Sequence, residues 1–150
     1  MHARIQTQQL TFNEKFALLC EVARIAQVMH ADGMNHRDLY LCHFLLSDTS
    51  IAALPDKNNK PVLYLIDLHR AQLRNRVPKR WLVKDLASIY FSAVGLGLTG
   101  NDRYRFLKQY FKKPLKEVLR KHARLLCDIE ARAQKLLQRE QRLKARGDRD

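Results

Sequence analysis

Apolar residues at Phe12, Phe16, Leu19, Val22, Ala23, Ala26 and Met29 recur at helical spacing, and the pattern stops at Gly33, the first glycine of the chain. Thr11-Phe-Asn-Glu14 supplies a capping box in front of it, so the pattern predicts an amphipathic helix up to about His30. A helix that ends on glycine hands the chain to a tight turn. Here that turn leads straight into Asn35-His-Arg-Asp38. Whatever fold this chain adopts must present His36, Arg37 and Asp38 at a helix-to-loop junction.

Two short apolar runs follow, Phe44-Leu45-Leu46 and Val62-Leu-Tyr-Leu-Ile66, separated by a polar, turn-rich segment from Ser47 to Pro61. They read as the strands of one hairpin. A second helix is predicted from about Lys79 to Ala93, with Trp81, Leu82, Leu86, Ile89 and Tyr90 inward. A third opens at Asn101 or Asp102, either of which can cap it, and carries Tyr104, Phe106, Leu107 and Tyr110. A last long helix is expected from Pro114 to about Leu143, with Leu115, Val118, Leu119, Leu125, Leu126, Ile129, Leu136, Leu137 and Leu143 as its stripe. No internal repeat is visible. The expected class is mainly α (α+β) with one small β-hairpin.

A chain of 150 residues that is 46% hydrophobic can bury one real core, so residues 1–150 read as a single domain. Residues 131–150 read as a basic helical tail, with Gly147 to Asp150 expected to be disordered. The formal net charge is +13, and residues 112–146 hold twelve Lys/Arg against four acids, which is more than half of it. That excess points to anionic partners without choosing among nucleic acid, phosphorylated lipid and nucleotide. Three cysteines, none in a CxxC pair, argue against a disulfide framework and for a reducing, cytosolic compartment. No signal-peptide h-region is seen, and the longest uncharged apolar stretch, Ile89 to Asn101, is too short to span a bilayer.

The residues that carry chemistry are Asp38 and Asp67. The second hairpin strand delivers Leu65-Ile-Asp-Leu-His69, so the two carboxylates are expected to leave opposite ends of the hairpin. A phosphoryl-transfer site needs one acid to orient the attacking hydroxyl and another to hold Mg²⁺ on the nucleotide phosphates. The plainer reading makes both of them turn or cap residues, which Asp favours. Gly95-Leu-Gly-Leu-Thr-Gly100 spells G-x-G-x-x-G but follows a helix instead of a strand, so it reads as a helix-to-helix turn. His36, Cys42, His43 and His69 lack paired zinc-ligand spacing. Tyr40 and Tyr64 read as packing residues.

Four blocks, in order, carry a resemblance: Asn35-His-Arg-Asp-Leu-Tyr-Leu-Cys-His-Phe-Leu-Leu46, Ile66-Asp-Leu-His-Arg-Ala-Gln72, Lys84-Asp-Leu-Ala-Ser-Ile-Tyr-Phe-Ser92 and Gly97-Leu-Thr-Gly-Asn-Asp-Arg-Tyr-Arg-Phe106. Together they resemble the lipopolysaccharide core heptose kinase family, bacterial enzymes with a protein-kinase-like fold. The resemblance implies transfer of the γ-phosphate of ATP, with Mg²⁺, to a heptose of the inner core at the cytoplasmic face of the inner membrane. It implies Asp38 as catalytic base and Asp67 as Mg²⁺ ligand. Asp85 would anchor the catalytic-loop backbone, with His36 and Arg37 supporting that loop. His43 stands where the general kinase pattern has a metal-binding Asn, and Tyr40 where protein-serine kinases have Lys. Arg70 is a candidate for the missing positive charge near the γ-phosphate, and pairing within the fold is an equal alternative. Arg74 and Arg76, with Lys79 and Arg80, are placed to meet acceptor phosphates.

Only 37 residues precede Asp38, with no glycine-rich loop and no Val-Ala-Ile-Lys-like strand. The resemblance therefore implies a kinase C-lobe with the N-lobe absent, and little activity of the isolated chain. The expected partners are the lipopolysaccharide inner-core acceptor and, by peripheral contact, the anionic inner membrane surface. Nucleic acid falls to the runner-up class. The alternative is a non-catalytic basic helical module that binds lipopolysaccharide, membrane or nucleic acid.

Overall fold

The computed structural model describes residues 10–47 and 60–147. Most of the connecting segment expected between the two hairpin strands, and residues 148–150 of the tail, lie outside them. Five helices make up most of the described chain: α1 (Phe12–Ala31), α2 (Lys79–Gly95), α3 (Gly100–Phe111), α4 (Leu115–Lys121) and α5 (Ala123–Gly147). Between α1 and α2 run four short strands, β1 (Met34–Asn35), β2 (Phe44–Leu46), β3 (Leu63–Leu65) and β4 (Gln72–Leu73). The predominance of helix is as expected.

Helix α1 starts as its sequence dictates. The Thr11 hydroxyl accepts the Glu14 N–H, and the Glu14 carboxylate accepts the Thr11 N–H in return. Its face of Val22, Ala23, Ala26 and Met29 is buried, but Phe12 and Phe16, placed by periodicity on that stripe, are exposed and stack on each other with centroids 6.2 Å apart. They sit beyond the end of the core, where the Arg105 guanidinium lies over the Phe12 ring, 4.9 Å from its centroid. Helix α1 packs on α3 and α2 on α5. The four alanines Ala23, Ala26, Ala87 and Ala133 have no exposed surface, which lets helix backbones approach closely.

Three boundaries differ from expectation. Helix α3 is capped by Thr99, whose hydroxyl accepts the Asp102 N–H while Asp102 accepts the Thr99 N–H; Asp102 closes a capping box from the third helical position, and Asn101 is simply helical. Burial works against ionisation of Asp102, yet the Thr99 hydrogen bonds and Lys15 outweigh it and hold the carboxyl at about 2. The last helix is two, broken at His122, whose ring stacks on Phe111 with centroids 4.2 Å apart. A tertiary contact overrides a continuous periodic pattern. Beyond Ala133 the stripe of α5 is poorly covered: Leu143 is exposed, as is Leu119 on α4, and Gly147 still belongs to α5.

The hairpin forms with Phe44 opposite Leu65 and Leu46 opposite Leu63. A second antiparallel pair was not anticipated: β1 joins β4, with Met34 opposite Leu73 and Asn35 opposite Gln72. Tyr64 points to solvent instead of packing.

Gly33 is where α1 meets β4. Its φ is +84°, and an added Cβ would lie 1.8 Å from the Arg74 carbonyl oxygen, which belongs to backbone and cannot swing aside. Its own carbonyl accepts the Arg74 N–H at 3.0 Å. Gly33→Ala is expected to lower stability by more than about 2 kcal/mol, read as a fall in the urea midpoint. An unchanged midpoint would contradict this close approach.

Candidate active site

Asp85 has no exposed surface, and lies in the first half of α2 facing the loop after β1. Its two oxygens accept the backbone N–H groups of His36 at 2.8 Å and Arg37 at 2.7 Å. The oxygen that takes the His36 amide also meets His30 Nε2 at 3.1 Å, and His30 Nδ1 stands 2.7 Å from the Tyr110 hydroxyl. One tautomer satisfies the chain: Tyr110 donates to Nδ1, and Nε2–H donates to Asp85. Burial, reinforced by the charge of Asp85, pushes the Tyr110 phenol up, which keeps it a donor.

The loop so anchored carries Asp38. The buried His36 ring sits with Nε2 2.9 Å from the Ile66 carbonyl and accepts the Asp38 N–H on Nδ1 at 3.3 Å. His43 donates from Nδ1 to the Asp38 carbonyl at 2.7 Å and stacks on His36. Backbone and ring contacts therefore fix Asp38 from both sides. One oxygen of its partly exposed carboxylate accepts Arg70 Nη1 at 2.7 Å, and the other lies 3.6 Å from Lys84 Nζ.

The β2–β3 ladder brings in the second acid. The Ile66 N–H donates to the His43 carbonyl at 3.0 Å, extending the pairing by one step, and Asp67 follows at φ +64°. Asp67 meets His43 Nε2 at 3.4 Å and makes a short hydrogen bond with His69. Asp38 and Asp67 thus stand at the same, open end of the hairpin, not at opposite ends as the sequence suggested. An antiparallel pair requires this, because the start of β2 lies beside the end of β3. Arg37 and Asp67 both hold left-handed backbone, φ +77° and +64°, which for Arg carries a cost the surrounding bonds must offset.

Asp67 suits Mg²⁺: a half-exposed carboxylate is the donor this hard cation takes from a protein, and here its two oxygens face His43 and His69. His43 is committed through Nδ1 to Asp38, and only its Nε2 faces Asp67. Among the described residues no group of three or more His, Cys, Asp and Glu stands together as a metal cage. Of the four basic side chains expected to meet acceptor phosphates, Arg74 is used inside the fold, donating to Asn35 at 2.9 Å and Gln72 at 2.6 Å across the β1–β4 pair, and Lys79 pairs with Asp128 at 2.6 Å. Arg76 is exposed. Arg70 makes the within-fold pairing, on Asp38.

The sequence profile of the lipopolysaccharide kinase (Kdo/WaaP) family matches residues 2–110. The chain belongs to this family. The lipopolysaccharide core heptose(I) kinase WaaP of Pseudomonas aeruginosa is 51% identical over 128 residues, spanning 85% of this chain and 46% of that protein. The protein of the same description from Escherichia coli is 47% identical over 125 residues, spanning 83% and 46%. A solved structure described as WaaP in complex with acyl carrier protein superposes with a TM-score of 0.72 at 47% identity, covering 86% of this chain and 52% of that one. The chain spans about half the length of the relatives it matches.

Within this kinase family chain, three contributors to the site were missed from sequence. Lys84 directly precedes the anchor acid, and that adjacency was the available signal. His30 and Tyr110 join the anchor from 55 residues before Asp85 and 80 residues after His30, and nothing in the sequence couples them.

Proposed function

We propose that this chain forms the C-lobe part of an ATP- and Mg²⁺-dependent kinase that phosphorylates a heptose of the lipopolysaccharide inner core. The observation that carries the reading is the double anchoring of the His36-Arg37 backbone on Asp85, which sets Asp38 beside Asp67. Mg²⁺ on Asp67 supplies neutralisation of phosphate charge when bound. Asp38 receives the proton of the acceptor hydroxyl. Arg70 and Lys84 hold its carboxylate in one orientation, and His36 and His43 keep its backbone in place. Catalysis on this reading is positioning and electrostatics more than covalent chemistry.

The acyl carrier protein bound in the solved relative is carried over here as a partner. An apolar cavity of ≈ 1490 Å³, lined by Leu18, Leu19, Phe44, Leu86, Leu107 and Ile129 among others, has the chemistry an acyl chain needs. The exposed basic residues of α5, Lys135, Arg139, Arg142 and Arg146, favour peripheral contact with an anionic inner-membrane face, each contributing about 1 kcal/mol near such a surface. Among the described residues no helix is long and apolar enough to cross a membrane.

Thermal melting with Mg–ATP, measured on the full-length kinase of which this chain forms part, tests the reading. Mg–ATP at a hundredfold excess over its Kd is expected to add about 2.7 kcal/mol of stability, with Asp67→Asn abolishing the shift. A Tm blind to Mg–ATP would favour the non-catalytic basic module.

A further inference from the structure

Three cations crowd one aromatic ring beside Asp38. The Arg37 guanidinium lies 4.5 Å from the centroid of the Trp81 ring, that of Arg80 5.0 Å, and Lys84 Nζ 5.7 Å. Arg80, Trp81 and Lys84 come from the first turns of α2, and Arg37 is aimed at them by its left-handed backbone and by the hydrogen bond its backbone N–H donates to Asp85. Like charges this close repel, and each cation–π contact at a partly exposed site returns only about 0.5–1 kcal/mol.

Local counter-charge is short. Among the described residues no acceptor takes a hydrogen bond from the Arg37 or Arg80 guanidinium, while Lys84 has only Asp38 at 3.6 Å, which it shares with Arg70. Asp85 follows Lys84 in sequence but is turned away, its oxygens occupied by two backbone amides and His30. Arg37 Nε and Trp81 Nε1 are buried donors without a partner. A buried donor left unpaired costs about 1–3 kcal/mol, so the fold sustains here a positive potential that it does not itself neutralise.

The geometry points to an oxyanion-binding subsite formed by Arg37, Arg80 and Lys84 around Trp81, which takes a phosphate-type group carried by the acceptor next to the hydroxyl that Asp38 engages. The planar guanidinium forks suit a phosphate or carboxylate, and the ammonium adds a point charge. The word acceptor rests on the kinase reading; the anion site does not. The nucleotide could also supply a phosphate, but the cluster reaches Asp38 through Lys84, whereas Asp67, the candidate metal ligand, is reached through His43.

Trp81 is the single tryptophan of the chain, so its emission reports on this place alone. Inorganic phosphate titrated into the full chain at constant ionic strength is expected to change that emission saturably, with chloride producing no such change. Arg80→Gln, on the exposed first turn of α2, is expected to weaken phosphate about tenfold, and Arg80→Lys to fall between. An equal response to chloride, or a phosphate response untouched in folded Arg80→Gln and Lys84→Gln variants, would overturn the site. A response that persists under saturating Mg–ATP supports the acceptor as the source, and displacement by Mg–ATP overturns that assignment. If Trp81 ignores phosphate while Mg–ATP still raises the Tm, this inference alone fails. If phosphate binds and Mg–ATP does nothing, the kinase reading fails instead.

Discussion

Asp85→Ala is expected to cost the fold about 3–5 kcal/mol, a large share of the total stability of a domain this size. The substitution removes one carboxylate and strands three donors. The amides of His36 and Arg37 and the Nε2–H of His30 lose their acceptor inside a region with no exposed surface at Asp85, where water cannot replace it. Urea unfolding should show the loss as a lower midpoint with the slope little changed. Asp85→Asn is expected to fall between, because an amide oxygen can accept while its NH₂ faces donors. A midpoint for Asp85→Ala within about 0.5 kcal/mol of the parent would mean that the loop is held by something else.

Asp38→Asn should do the opposite. Its carboxylate is partly exposed and its ion pairs with Arg70 and Lys84 are of a kind worth about 0–1 kcal/mol, so stability should barely move. On the proposed kinase reading, phosphoryl transfer to a heptose acceptor, assayed in the full-length enzyme, is expected to drop by about 10²–10⁴-fold, the usual contribution of a positioned general base. The asparagine is nearly isosteric and keeps both backbone hydrogen bonds, its N–H donating to His36 and its carbonyl accepting from His43. A variant that retained near-full turnover would remove Asp38 from the chemistry while leaving the fold intact, which separates this test from the preceding one.

The sequence carried some of this plainly and hid the rest for physical reasons. Thr11 and Glu14 announce α1 because a capping box is a local device, three residues across. Thr99 and Asp102 form the same device with a shorter acid, but Asn101 and Asp102 are themselves good cap residues, and they were read as the start in place of Thr99. The β1–β4 pair has two residues on each side, too few for alternation to register, and it rests on the fit of Gly33 against Arg74. His122 interrupts a stripe that runs through it because Phe111 offers its ring a face. Asp38, Asp67 and Asp85 were legible as a set through their resemblance to a family. The cations on Asp38 were not, because Arg70 and Lys84 approach from different elements and only the fold brings them to one carboxylate.

The hairpin has one more consequence. Its register puts Phe44 and Leu65 at the end that carries the two acids, and Leu46 and Leu63 at the end from which the connecting residues depart. Length and sequence in that connection can therefore drift, by insertion or deletion, without altering the separation of Asp38 from Asp67. Variation and precision are assigned to opposite ends of the same two strands. A lineage, or an engineer, could lengthen or shorten that connection and leave the spacing of the two carboxylates as it was.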